Sequence, residues 1–238
     1  MAKNIPIAER LIFALDVDTK EQAVEWLDRL GEHVHFYKVG LQLFLGSWFP
    51  VIDLIRNRGH KVMVDLKFFD IPETVELAVG QLKDRGVEFI TVHGNEAILK
   101  AANVTKNGSK ILAVTLLTSF GEEDLREMGL TCTIEEFVLL RARKALRLGC
   151  DGVISSGMEA AALRRELGDQ FLIVTPGIRP GANIEIDDDD QKRVASAYEA
   201  ISNGADHVVV GRPIRRAYDP VAMVKEMHAE ITRALPED

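Results

Sequence analysis

The amino-acid sequence predicts a closed barrel of eight parallel β-strands, each followed by an α-helix, in a single domain spanning residues 1–238. Short apolar runs alternate with amphipathic stretches eight times, and 238 residues is close to the usual size of one such barrel. An open, doubly wound sheet is the structural alternative. It would need a GxGxxG turn after an early strand, and the sequence contains no such turn.

The predicted strands are rich in apolar and β-branched residues, as expected of parallel strands that are covered on both faces. They span residues 11–16, 35–39, 61–67, 88–93, 110–116, 152–155, 171–175 and 207–211. The predicted helices span residues 20–30, 48–58, 72–85, 96–105, 133–148, 157–167, 190–203 and 220–235. Glycine follows several of these helices, as is typical of helix C-caps. The acidic run 187–190 is interpreted as a solvated loop that leads into the seventh helix.

Composition and charge restrict the function. The formal net charge of −8 argues against broad binding to nucleic acid or to anionic membranes, so an anionic small molecule would need a local cluster of basic groups. The two cysteines and six histidines show no CxxC, HxxxH or HExxH spacing, which argues against a disulfide framework and against a metal site. With no signal-peptide core and no apolar run long enough for a membrane span, the sequence predicts a cytoplasmic protein.

Polar residues follow the predicted strands at the end where this fold carries its chemistry. Strands one to four end in polar side chains, a threonine lies just beyond strand five, and strands seven and eight run into TPGIRPG and VVVGRP. The polar residues at the carboxyl ends of the first four predicted strands are Asp16, Lys38, Asp65 with Lys67, and His93, and Thr118 lies just beyond the fifth.

The strongest local signal is the segment DLKFFDIP at residues 65–72. Side chains alternate along a strand, so Asp65 and Lys67 share one face, and burying that pair is costly unless its charges are balanced. Lys38 on the neighbouring strand would extend the pair to an alternating network of Lys38, Asp65, Lys67 and Asp70. Carboxylates around Lys67 favour its ammonium form, which suits a proton donor to a developing carbanion.

Structural interpretations of the same residues stay open. Asp65 and Lys67 could form an ion pair with no catalytic role, and Asp70 could cap the following helix, with Glu73 completing a capping box. His93 fits a core histidine better than a catalyst, and Thr118 could bond its own backbone.

A phosphate site is indicated by the turns after strands seven and eight, where barrels of this kind commonly bind phosphate. Glycines there let the backbone approach an anion, and guanidinium groups bind it bidentately. The residues are Gly177, Arg179, Gly181, Gly211 and Arg212. Ordinary turns with exposed arginines are the weaker alternative.

The motifs FALDVD, DLKFFDIPET, AVTLLTS, TPGIRP, DDQKR and VVGRPI, in this order, resemble the orotidine 5′-phosphate decarboxylase family over essentially the whole chain. The resemblance implies a (β/α)₈ barrel that converts orotidine 5′-monophosphate to uridine 5′-monophosphate and CO₂, in pyrimidine biosynthesis, with no metal and no cofactor. Related magnesium-dependent sugar-phosphate enzymes share Asp-x-Lys-x-x-Asp but do not usually continue into IPET, and they lack DDQKR. A non-catalytic phosphate-binding barrel is a third hypothesis.

The resemblance also implies roles for individual residues. Lys67 would protonate C6 of the pyrimidine, beside Asp65 and Lys38. Ribose binding is implied for Asp16 and pyrimidine contact for Thr118. Phosphate contacts are implied for Arg179, Gln191, Gly211 and Arg212, with Gln191 on a mobile loop. The family forms a homodimer, in which three residues would reach the neighbouring site: Asp70, Ile71 and Thr74.

Overall fold

Eight parallel strands pair in sequence order and close into a barrel, with the first strand pairing with the eighth. The computed structural model describes residues 3–181 and 191–236. The strands are β1 (Leu11–Ala14), β2 (Phe36–Gly40), β3 (Lys61–Phe68), β4 (Phe89–Val92), β5 (Lys110–Val114), β6 (Gly152–Ile154), β7 (Leu172–Thr175) and β8 (His207–Val210). The predicted fold class is confirmed, and each strand lies within two residues of its predicted bounds.

Helices surround the barrel and cover its outer face. In the described ranges they are α1 (Ile7–Arg10), α2 (Lys20–Leu30), α3 (Leu41–Asn57), α4 (Pro72–Gly80), α5 (Glu96–Val104), α6 (Glu122–Glu127), α7 (Ile134–Arg147), α8 (Ala160–Leu167), α9 (Ala197–Ser202), α10 (Arg212–Arg215) and α11 (Pro220–Ala234). None of the helices in these ranges is long and apolar enough to cross a membrane. The short helices α1, α6 and α10 were not predicted.

Several predicted helix bounds are wrong. The predicted helix 72–85 ends at Gly80, as α4, and the predicted helix 157–167 begins at Ala160, as α8. The second predicted helix, 48–58, is part of α3, which begins at Leu41 and is broken at Trp48, where φ is 52°. The predicted helix 190–203 starts later, as α9, because a capping box between Ser196 and Glu199 fixes its first turn. Ahead of that box, Ala195 pairs with Ile178 in a parallel bridge instead of joining a helix. The acidic run 187–190 lies outside the described residues.

Two apolar layers hold the barrel together. The larger lies between the strands and the helices, and the smaller fills the barrel interior with side chains from alternate strand positions. At the amino end of the strands the interior is closed by His207, which packs edge-on against Phe36 and Phe89 at ring-centroid distances of 5.9 and 5.2 Å. The carboxyl end is left for polar side chains.

Candidate active site

A cavity of about 460 Å³ opens at the carboxyl ends of the strands. Ten of the residues singled out from the sequence line it: Asp16, Lys38, Asp65, Lys67, Thr118, Gly177, Arg179, Gln191, Gly211 and Arg212. Its remaining lining is largely apolar, apart from Gln42 and Arg215, and comes from the interior layer and from the loop after β5. Polar residues predicted at the ends of different strands, from Asp16 to Arg212, therefore line a single cavity.

A row of alternating charges crosses one wall of this cavity. The Nζ atom of Lys38 lies 3.1 Å from Asp16 Oδ1 and 3.4 Å from Asp65 Oδ2. The Nζ atom of Lys67 lies 2.9 Å from Asp65 Oδ1. The order Asp16, Lys38, Asp65, Lys67 places each charge beside one of opposite sign, which offsets the cost of removing them from water.

Burial and charge act in opposite directions on the inner pair. Burial acts to lower the pKa of Lys38, but the carboxylates of Asp65 and Asp16 outweigh it, and the pKa is raised. Burial acts to raise the pKa of Asp65, but Lys38, Lys67 and the Thr91 hydroxyl outweigh it, and the pKa is lowered. Both groups therefore stay ionised at neutral pH.

Lys67 stands in a strained position of β3. Its φ is 48°, a left-handed backbone conformation that residues other than glycine rarely adopt. The pairing of β3 with β4 also shifts register between Val64 and Phe68, as at a β-bulge. The buried Thr91 on β4 holds this bulge, since its Oγ1 accepts a bond of 3.0 Å from Lys67 N and donates one of 2.9 Å to Asp65 Oδ1. We did not identify Thr91 from the sequence, where the only signal is a lone hydroxyl in an apolar strand.

The opposite side of the cavity is basic. Arg179 follows β7, Arg212 begins α10 directly after Gly211, and Gln191 opens the second described range. Arg215 was not identified from the sequence; its Nη1 donates 2.8 Å to the carbonyl of Asp16 and so joins this side to the charged row. Guanidinium groups facing a cavity are suited to phosphate.

Gly177 in the turn after β7 has no room for a side chain. Its φ is 80°, and a Cβ atom would lie 2.9 Å from both the carbonyl of Arg193 and Gln191 Oε1. This close approach brings the Gln191 segment against the β7 turn, so the two chain segments share one wall of the cavity.

The three residues predicted to reach a neighbouring site lie outside this cavity, and the predicted phosphate residue Gly181 does not line it either. Asp70, Ile71 and Thr74 are exposed and do not line it. Among the described residues Asp70 takes no part in the charged row, where Asp16 stands at the end opposite Lys67. The helix-cap interpretation of Asp70 is wrong, because Ile71 is the N-cap of α4 and Asp70 Oδ1 accepts a 2.7 Å bond from Ile71 N.

His93 lies just beyond β4 and does not line the cavity. Its ring meets Phe69 edge-on at 5.4 Å, and burial, with Arg141 and Lys67 nearby, lowers its pKa to about 4. The neutral ring fits the packing role expected from the sequence. Within residues 3–181 and 191–236, no three His, Cys, Asp or Glu side chains are grouped so as to hold a metal ion.

Comparisons with known proteins agree with this geometry. Residues 9–227 match the family described as "Orotidine 5'-phosphate decarboxylase / HUMPS family". The chain is 52% identical over 230 residues to an orotidine 5'-phosphate decarboxylase of Methylococcus capsulatus, covering 96% of this chain and 94% of that protein. An orotidine 5'-phosphate decarboxylase of Xanthomonas oryzae is 47% identical over 239 residues, covering 98% of this chain and 97% of that protein.

A solved structure also resembles the barrel. The crystal structure of orotidine 5'-phosphate decarboxylase from Lactobacillus acidophilus superposes with a TM-score of 0.81 at 37% identity, covering 94% of this chain and 99% of that one. Sequence and structure thus agree over almost the full length. The chain belongs to the orotidine 5'-phosphate decarboxylase / HUMPS family.

Proposed function

We propose that this protein decarboxylates orotidine 5′-monophosphate to uridine 5′-monophosphate in pyrimidine biosynthesis, without a metal ion or another cofactor. The observation that carries the proposal is the row Asp16, Lys38, Asp65, Lys67 on one wall of a cavity that has arginines on the other side. Relatives that bear this activity in their names share about half of their residues with this chain over nearly its full length.

In the proposed reaction, the bond between C6 of the pyrimidine and its carboxylate breaks, CO₂ leaves, and the electron pair stays on C6. Lys67 then gives a proton from Nζ to C6. Its side chain is 36% exposed against 10% for Asp65, so the ammonium group reaches into the cavity while its carboxylate partner stays fixed behind it. A charge held in place before the reaction stabilises the carbanion without reorganisation, which is the largest effect in many enzymes.

The other predicted residues bind the rest of the substrate. Asp16 would contact the ribose and Thr118 the pyrimidine ring, and Lys38 would bind the substrate from its place in the charged row. The phosphate would lie on the basic side, bound by Arg179, Gln191, Gly211 and Arg212. Binding energy from this remote phosphate helps to order the site around the reacting carbon.

A second copy of the chain completes the site in this proposal. Asp70, Ile71 and Thr74 would reach the cavity of the neighbouring protomer and bring Asp70 close to the substrate carboxylate. Large apolar side chains support a contact here, because several in and around the β2–α3 and β3–α4 connections are exposed by more than half: Leu41, Leu45, Phe69 and Ile71. Exposed apolar groups of this kind mark protein interfaces.

The decisive test follows ultraviolet absorbance as orotidine 5′-monophosphate is mixed with purified protein in excess EDTA. Rapid conversion in the chelator supports the proposal. No conversion, with turnover of a sugar phosphate once magnesium is restored, would instead assign the chain to the magnesium-dependent relatives. Tight binding of the nucleotide without turnover would indicate a binding protein.

The role of Lys67 is tested by substitution. Lys67→Ala should abolish turnover and retain the fold, and near-normal activity would remove Lys67 from the mechanism. Lys110→Ala is the matched control, because Lys110 pairs with Glu88 at the amino end of the strands, away from the cavity. Mixing Lys67→Ala with Asp70→Ala protomers should restore part of the activity if Asp70 acts in the neighbouring site.

A further inference from the structure

Arg193 is buried beside the cavity although it does not line it. The residue is 5% exposed, and its guanidinium group is enclosed by the loop after β5. Its Nη2 donates to the carbonyls of Leu116 at 3.2 Å and Leu117 at 2.8 Å, and its Nε donates to the carbonyl of Phe120 at 3.3 Å. Arg193 thus satisfies three backbone carbonyls of one loop.

The remaining side of the guanidinium group binds a carboxylate. Nη1 lies 2.6 Å from Glu159 Oε1, and Glu159 is itself 5% exposed. The other oxygen, Oε2, accepts from Ser156 N at 3.0 Å and Ser155 Oγ at 3.2 Å. Both oxygens of Glu159 and all three nitrogens of the Arg193 guanidinium group therefore take part in hydrogen bonds, and the buried pair ties the β5 loop to the turn after β6.

The backbone on either side of Arg193 is fixed as well. Lys192 N and Arg193 N donate to the carbonyl of Thr118 at 3.0 and 3.3 Å. Ala195 N donates to the carbonyl of Gly177 at 3.1 Å, and Arg179 N donates to the carbonyl of Ala195 at 2.9 Å. The segment that begins at Gln191 therefore lies between the Thr118 loop and the turn that carries Arg179.

We propose that Arg193 is a positioning residue that holds Thr118, at the pyrimidine end, and Gln191, at the phosphate end, in one rigid arrangement. The inference rests on the proposed function, because it assigns those two ends to one substrate. Phosphate bound at Gln191 is then linked to the Thr118 loop in two ways: the Arg193 guanidinium group bonds the carbonyls on either side of Thr118, and the backbone of residues 192 and 193 bonds the Thr118 carbonyl. Neither Arg193 nor Glu159 touches the substrate.

Arginine suits this position for a geometric reason. A planar guanidinium group has five donors in a fixed fork, whereas the lysine ammonium has three donors and cannot span the same carbonyls and carboxylate. Arg193→Lys keeps the charge next to Glu159 but leaves loop carbonyls without a donor. A shift of about 1 Å in an active-site group can cost about 100-fold in rate, so we expect kcat/KM to fall by about that factor.

The fold itself supplies a matched control. Arg164 also binds one carboxylate, Asp206, at 2.7 Å, and three backbone carbonyls, but at the amino end of the strands. Arg164→Lys should lower the melting temperature to a similar extent as Arg193→Lys and leave kcat/KM near the wild-type value.

A double-mutant cycle measures the arrangement directly. Thr118→Ala and Gln191→Ala, alone and together, should be non-additive in kcat/KM in the wild-type background, by a factor within the range of about 5 to 150 that is typical of coupled sites. In the Arg193→Lys background the same two substitutions should become additive to within about a factor of two.

The outcomes separate the two proposals. Wild-type kcat/KM in Arg193→Lys, or coupling that persists in that background, overturns the inference and leaves the decarboxylase assignment standing. Losses in Arg193→Lys and Arg164→Lys that both follow melting temperature overturn it too, because they indicate a general effect on stability. A wild-type protein that does not convert orotidine 5′-monophosphate overturns both.

Discussion

Thr91→Val should weaken both the fold and the active site, although it changes the volume of the side chain little. Thr91 is fully buried, and its hydroxyl holds the strained Lys67 peptide and the Asp65 carboxylate at the same time. Valine keeps the branched shape that β4 packs against but removes the donor and the acceptor together. The variant therefore isolates the contribution of one oxygen atom.

The expected loss has two parts. A hydrogen bond to a charged group contributes about 1.5–3 kcal/mol, and a buried N–H left without an acceptor costs about 1–3 kcal/mol. Lys67 is half-buried, so its amide regains some bonding to water and the second part lies near its lower limit. We expect the free energy of unfolding to fall by about 2.5–4 kcal/mol. Turnover should fall as well, because the bulge that aims Lys67 loses its support.

Urea unfolding at pH 7 measures the stability term, and the decarboxylation assay measures the second effect on the same protein. Thr91→Ser is the control: it keeps the hydroxyl and loses one methyl group, which should cost about 1 kcal/mol with little change in turnover. If Thr91→Val has a free energy of unfolding within about 0.5 kcal/mol of the wild type, as surface substitutions do, and turns over normally, the Thr91 hydroxyl supports neither the fold nor the position of Lys67.

Three further predictions follow. Arg212→Ala should raise KM strongly, because one guanidinium group of the phosphate side is lost, and an unchanged KM in steady-state assays would refute that role. Burial lowers the pKa of His207 to about 4, whereas the unfolded chain binds the same proton near pH 6.5. The free energy of unfolding should therefore drop by up to about 3 kcal/mol as the pH falls from about 6.5 to about 4, and His207→Leu should flatten this dependence in urea titrations. If the chain forms the proposed dimer, Ile71→Asp should dissociate it and abolish activity together, and an active monomer in sedimentation experiments would contradict the proposed shared site.

The barrel and most of the cavity could be predicted from the sequence because both depend on regular residue patterns: the alternation of strand and helix segments, and the alternation of side chains along each strand. Apolar runs mark the strands, and a polar residue at the carboxyl end of a strand lies on the functional face whatever its neighbours are. Asp65 and Lys67 needed only side-chain alternation to be predicted on one face, and Lys38 needed only the pairing of adjacent strands, which the structure shows as Gly40 opposite Asp65.

The residues that could not be identified from the sequence bind partners that no sequence pattern marks. Arg193 and Arg215 donate to backbone carbonyls far away along the chain, and every residue type supplies the same carbonyl. Thr91 acts through a bulge whose register shift has no sequence signature. The beginning of α3 was hidden for another reason: Pro50 lies inside it, and proline usually marks the first turn of a helix.

The left-handed backbone at Lys67 sets what evolution and engineering can do at this position. An L-residue held in that conformation gives up about 1–2 kcal/mol, which glycine alone recovers. Glycine at position 67 would recover this backbone cost but would remove the ion pair with the buried Asp65, and under the proposed function it would also remove the proton donor. Under the proposed function, stabilising substitutions are therefore better sought at positions away from Lys67.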